Sequence, residues 1–176
     1  IDTLTFLPPA VQLQISTFLH VFSHAQCGTV EFSPMISTAA SLLLLYLEPK
    51  LAYLSLTAMV NRSKTENGFY FTLSRDSLLA ESSVFRLLSE KLFKNLVRHA
   101  ESINVKMEAL HLVCAPMFFF PFIPLQSALT LFDIFLVEGR KFILQFSLAL
   151  IQSEERNLMQ ALDSDTFVDV IVNAIE

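Results

Sequence analysis

An all-α fold is predicted by three observations. Glycine is scarce, 3 in 176 residues, which leaves little from which to build the tight turns of a sheet. Alternating apolar and polar runs are rare. Between points of Pro and Gly punctuation, apolar residues instead recur every three or four positions, the period of a helix that buries one face.

The helices follow in chain order. Pro8-Pro9 opens the first, from Ala10 to about His24, with Val11, Ile15, Phe18, Leu19 and Phe22 on its apolar side and Gly28 beyond its end. Pro34 opens the second, from Met35 to Leu47, whose run Ala39 to Leu47 is apolar nearly all round, the mark of a helix surrounded by others. Pro49 stops it, and a third runs from Lys50 to about Val60. Asn61 to Ser77 is the one long polar interlude and reads as a surface loop turning at Asn67-Gly68. From Ser83 to Ala100 a stripe of Phe85, Leu88, Leu92 and Leu96 opposes Arg86, Glu90, Lys94 and Arg98, an amphipathic surface helix. Further helices are expected over Lys106 to Phe120, Leu125 to Glu138 and Arg140 to Leu162, the last with room for a break near Gln152. A final helix is capped by Asp163 or Asp165. Gly139 falls where a left-handed cap is needed between two helices.

Composition narrows the functional classes. The chain is long enough for one domain, residues 1–176, whose core buries roughly two thirds of the unfolded surface. It opens on Ile1 in sequence that already looks folded, as a segment cut from a longer protein would. A net charge of -5 offers no basic field to a phosphate backbone, which argues against nucleic acid. Cys27 and Cys114 lie in apolar surroundings without a CxxC spacing and read as reduced thiols of a cytosolic protein. Ala109 to Phe132 carries no Asp, Glu, Lys or Arg, long enough for a membrane span. Pro116, Pro121 and Pro124 interrupt it, and lipid cannot satisfy the carbonyls they free. Burial against neighbouring helices is therefore expected for Leu112, Phe119, Leu129 and Phe132, with no transmembrane segment.

Chemical constellations are few. His20 and His24 share a helical face, as a metal pair does, but no Glu stands between them and no third ligand is apparent, so no metal site is read there. Asp163, Asp165 and Asp169 alternate like the start of a calcium loop without its glycine or closing Glu, and helix capping is the better account. No phosphate-cradling glycine loop and no GxSxG occur, and no cofactor is implied. The cluster Phe118 to Phe122 reads as core beside a Pro-rich turn. Asp133, an acid in an apolar helix without a second carboxylate on its face, reads as structural.

The order His99, aromatic cluster, Pro124, Phe132-Asp133, then an apolar run to Glu138-Gly139 resembles the late part of the TBC domain, the module of Rab GTPase-activating proteins. Phe132 stands for the usual Trp, Thr130 for the usual Arg, and Cys114 for the Trp of the preceding helix. Upstream, Phe18 to Phe22 resembles the helix before the glutamine motif, and Met35 the Met of YxQGM. That register puts Glu31 at the Tyr, Ser33 at the Gln and Pro34 at the Gly. Leu4-Thr5-Phe6 resembles the end of IxxDxxRTF, with Leu4 at the Arg and Ile1 at the Asp.

The resemblance implies a multi-helix orthogonal bundle equivalent to the middle and C-terminal part of a TBC domain. It implies no cofactor, a Rab-type small GTPase as partner, and a cytoplasmic site, reaching endomembranes through partners. The family acts by lending an arginine and a glutamine to the bound GTPase. An arginine finger is worth on the order of 10³ to 10⁵ in rate. Leu4 cannot donate a hydrogen bond and the Ser33 hydroxyl is too short to replace an amide, so the expected function is a binding module without GTPase-activating chemistry. An active GTPase-activating protein and a membrane-embedded helical protein are the alternatives.

Overall fold

The computed structural model describes residues 9–26, 34–66, 68–114 and 124–175. These form helices α1 Pro9–Ala25, α2 Pro34–Leu44, α3 Pro49–Thr65, α4 Arg75–Leu92, α5 Lys94–Ser102, α6 Met107–Cys114, α7 Leu125–Glu138, α8 Arg140–Leu158 and α9 Ser164–Ile175. No strand occurs among the described residues. The chain divides into two compact units, Ile1–Arg75 and Asp76–Glu176.

In the first unit α1, α2 and α3 pack against one another pairwise. Ile15, Phe18 and Phe22 of α1 are buried, as the apolar stripe predicts, together with Ala39, Ala40, Leu42 and Leu43 of α2 and Ala52, Leu56 and Val60 of α3. Tyr53 meets the edges of Phe18 and Phe22 at 6.4 and 5.6 Å. The second helix stops at Leu44, short of the predicted Leu47. Pro49 holds Glu48 in an extended conformation (φ -59°, ψ 149°). The preceding turn tightens, with the N–H groups of Leu45 and Tyr46 bonding back three residues to Leu42 and Leu43, and Tyr46 is left 70% exposed.

The polar interlude is not a surface loop. Its first five residues continue α3 and Arg75 already begins α4, while Tyr70, Phe71 and Thr72 between them are buried. One hydroxyl holds this return. Ser63 Oγ donates to the Met59 carbonyl at 2.9 Å and accepts the N–H groups of Tyr70 and Phe71 at 3.1 and 3.0 Å. Gly68, at φ 75°, carries the chain round and bonds to the Ser63 carbonyl. Arg62 lies over the Phe69 ring, 3.8 Å from its centroid, and donates to Glu66 and to the Tyr70 hydroxyl. The sequence signal of this burial was the aromatic run Phe69-Tyr70-Phe71, set among polar residues.

The expected helix Ser83 to Ala100 begins earlier, at Arg75, and breaks at Phe93 in the second unit (φ -130°, ψ 48°). A straight helix would send Leu92 inward, yet Leu92 is 57% exposed and Phe93 is buried in its place. The break re-aims α5, so that Leu96, Val97 and Ala100 join Phe85 in a cluster with Ile151 and Leu158 of α8 and Phe167 and Ile171 of α9. Helix α7 keeps its predicted limits and buries Ala128, Phe132 and Phe135. Helix α8 runs unbroken through Gln152, because Ile143, Ser147 and Ile151 form one buried row, and the Ser147 hydroxyl is satisfied within it by donating to the Ile143 carbonyl. It ends at Leu158, before the expected Leu162. Leu112 and Leu129 are half-buried, less than expected, whereas Phe132 is buried. Phe119, the rest of the Phe118 to Phe122 cluster and Cys27 lie outside the described residues, as does the Cys114 side chain. No described helix is long and apolar enough to cross a membrane; the described part of the charge-free stretch belongs to α6 and α7, with Pro124 capping the latter.

Of the two capping candidates, Asp163 serves. Its Oδ1 accepts the Thr166 N–H at 2.8 Å, at the first turn of α9 where negative charge is favoured. That hydrogen bond holds the Asp163 carboxyl below its ordinary range. A depressed folded-state value means that the cap contributes fully above about pH 4 and is lost as pH falls below it. Asp163→Asn retains an acceptor but no charge to titrate. Urea denaturation over an acid pH series should show any stability gap between wild type and Asp163→Asn constant above about pH 4 and changing only below it.

Candidate functional site

Leu4 and Ser33, the positions matched to the catalytic arginine and glutamine, lie outside the described residues. Met35, just after Ser33, is buried in the first turn of α2. His99, Pro124, Asp133, Glu138 and Gly139 all belong to the second unit.

His99 is placed by the way α5 stops. Asn104 takes the left-handed conformation (φ 62°), which asparagine tolerates. Its N–H bonds to the Glu101 carbonyl at 3.1 Å while the Val105 N–H bonds to the Ala100 carbonyl at 2.8 Å. This paired closure satisfies the last carbonyls of the helix and buries Val105 in the same cluster as Ala100. In the turn so fixed, His99 Nε2 donates to the Ala161 carbonyl at 2.9 Å, tying α5 to the connection between α8 and α9.

Pro124 is the N-cap of α7 in an extended conformation (φ -57°, ψ 143°), and its carbonyl accepts the Ala128 N–H at 3.0 Å. Asp133 and Glu138 are exposed on α7, whose buried face carries Phe132 and Phe135. Gly139 is buried and joins α7 to α8. Its N–H bonds to the Phe135 carbonyl at 2.8 Å and its own carbonyl accepts the Phe142 N–H at 3.1 Å. Its φ of 69° is positive, as a left-handed cap requires, but ψ is -161°, an extended conformation that glycine alone enters readily. Gly139→Ala should therefore lower stability by about 1 to 3 kcal/mol, read as a fall in melting temperature.

The residue after this glycine reaches a group that sequence reasoning passed over. Arg140 Nη1 donates to Glu81 Oε2 of α4 at 3.1 Å, and Glu81 Oε1 lies 3.6 Å from His111 Nε2 of α6. His111 is 2% exposed and stacks on Phe85 with centroids 4.7 Å apart. Its Nδ1 is buried without a hydrogen-bond partner among the described residues. One carboxylate thus links α4, α6 and α8. The cluster braces helices, and its only sequence signal was a charged residue directly after a cap. His20 and His24 stand exposed on α1, and the described residues hold no group of three or more His, Cys, Asp or Glu able to share a metal ion.

This arrangement, with a His99 tie, a Pro-capped helix α7 and a glycine joint before α8, sits in a chain whose residues 7–159 match the family model of the Rab-GTPase-TBC domain. The chain belongs to the TBC domain family. A protein of Emericella nidulans, whose name marks it as a candidate GTPase-activating protein, is 25% identical over 150 residues, 85% of this chain. The chain spans only 13% of that relative's length. His99, Pro124, Asp133, Glu138 and Gly139 all fall inside the matched TBC stretch, as does Ser33; Leu4 precedes it. The all-helical architecture agrees with the TBC family. The family match extends across both compact units.

Proposed function

We propose that the chain acts as one TBC domain that docks a Rab-type small GTPase and does not accelerate GTP hydrolysis. The observation that carries this reading is the family match over residues 7–159 in a sequence that reads Ser33-Pro34-Met35 where the family register has Gln-Gly-Met. Catalysis of phosphoryl transfer by such a partner is electrostatic: a guanidinium offsets charge on the transferred group and an amide orients the water. A serine hydroxyl at the glutamine's backbone position cannot reach where an amide reaches, and the Leu4 side chain carries no donor. The partner places the protein on the cytoplasmic face of endomembranes.

Single-turnover GTP hydrolysis over a panel of Rab proteins tests the chemistry. The native chain should leave each rate within about twofold of the intrinsic one, against the 10³ to 10⁵ expected of an intact arginine finger, about 4 to 7 kcal/mol of barrier. Leu4→Arg with Ser33→Gln should raise the rate for the Rab that binds. Retention of one GTP-loaded Rab on the immobilised chain is the matching binding result. Strong acceleration by the native chain, abolished by changing a different arginine or glutamine, would replace this reading with that of an active GTPase-activating protein.

A further inference from the structure

The elbow at Phe93 opens a groove of about 510 Å³ between the end of α4 and α5. Leu87, 56% exposed, and the buried Val97 supply its apolar lining, and Lys91, Lys94 and Arg98 line it with charge. Two carboxylates also line it, but Glu90 is taken up by Arg86 in an ion pair, leaving Glu101. Lys91, Lys94 and Arg98 make no ion pair among the described residues. This is a local concentration of positive charge in a chain of net charge -5.

The start of α5 sharpens the point. Its first residue is Lys94, its first turn has no acid, and its N-cap Phe93 offers no side-chain hydrogen bond. A lysine at a helix N-terminus opposes the helix dipole, an arrangement that a bound carboxylate relieves. Here that terminus lies in a groove already lined by three cations and floored by apolar side chains.

We infer that the α4–α5 groove is a docking site for an acidic peptide segment of a partner protein, its carboxylates on Lys91, Lys94 and Arg98 and an apolar side chain against Leu87 and Val97. Charge complementarity selects the occupant. A flat anionic membrane would have to approach a net-negative chain and meet Glu101, whereas a narrow segment enters the groove and places its acids selectively. The site is independent of the GTPase reading above, since it uses neither Leu4 nor Ser33.

The test uses the full 176-residue chain and fluorescence polarisation of a labelled short peptide of Glu and Asp around one Leu. Binding should weaken with added salt, and Lys91→Glu with Arg98→Glu should weaken it by about tenfold or more. Both side chains are exposed, so an unchanged circular-dichroism melt is expected to show the double variant folded. Lys64→Glu with Lys141→Glu makes the same change in net charge elsewhere on the exposed surface and should leave binding within about twofold. Equal loss in both pairs, no binding of the peptide, or binding of phosphatidylserine vesicles in place of the peptide would each overturn the proposal.

Discussion

Phe85→Ala should destabilise the chain by about 3 to 5 kcal/mol, the range for an aromatic removed from a packed interior. Phe85 is 1% exposed and sits in the cluster that joins α4 and α5 to α8 and α9. Two effects add. The ring's contacts are lost, leaving a cavity lined by side chains that cannot collapse freely. The face on which His111 stacks also disappears, and His111 already has a buried nitrogen without a hydrogen-bond partner among the described residues. Phe85→Leu preserves most of the volume and should lose about 1.5 kcal/mol or less. Urea denaturation of the three proteins at neutral pH reads the difference. Equal stability of Phe85→Ala and wild type would mean that the cluster does not hold this unit together.

Ser63→Ala removes one oxygen and should lower stability by about 2 to 4 kcal/mol, more than an ordinary buried hydroxyl. The reason is that Ser63 Oγ is the acceptor for two buried backbone donors, the N–H groups of Tyr70 and Phe71. An unpaired buried donor costs about 1 to 3 kcal/mol, and the alanine methyl can accept from neither. Ser63→Thr keeps the hydroxyl and adds a methyl, so it separates loss of the acceptor from crowding. Amide hydrogen exchange localises the effect: protection at Tyr70 and Phe71 should fall in Ser63→Ala more than protection in the middle of α1. Uniform loss across the first unit would instead indicate global destabilisation without a specific anchor.

The sequence by itself determined the helical class, the limits of α7, the ends of α1 to within a residue, an aspartate cap on α9 narrowed to Asp163 or Asp165, and the position of the glycine joint. Each rests on a local cause: apolar period, proline geometry, a side-chain acceptor three residues from an orphan N–H, or a missing Cβ. It also carried the TBC resemblance, because motif residues such as His99, Pro124 and Gly139 are read by type and spacing. Tertiary structure decided the remainder. Whether Leu92 or Phe93 turned inward depended on where α8 and α9 present their own apolar faces, which no property of α4 encodes. Asn61 to Ser77 looked solvated because its polar atoms were assumed to need water; Ser63 shows that another part of the chain met that need. Glu81, His111 and Arg140 are far apart in sequence and ordinary in isolation, so their juxtaposition could not be read from spacing. Local rules act over a few residues, whereas the partner of a buried charge or donor is set by packing between elements distant along the chain.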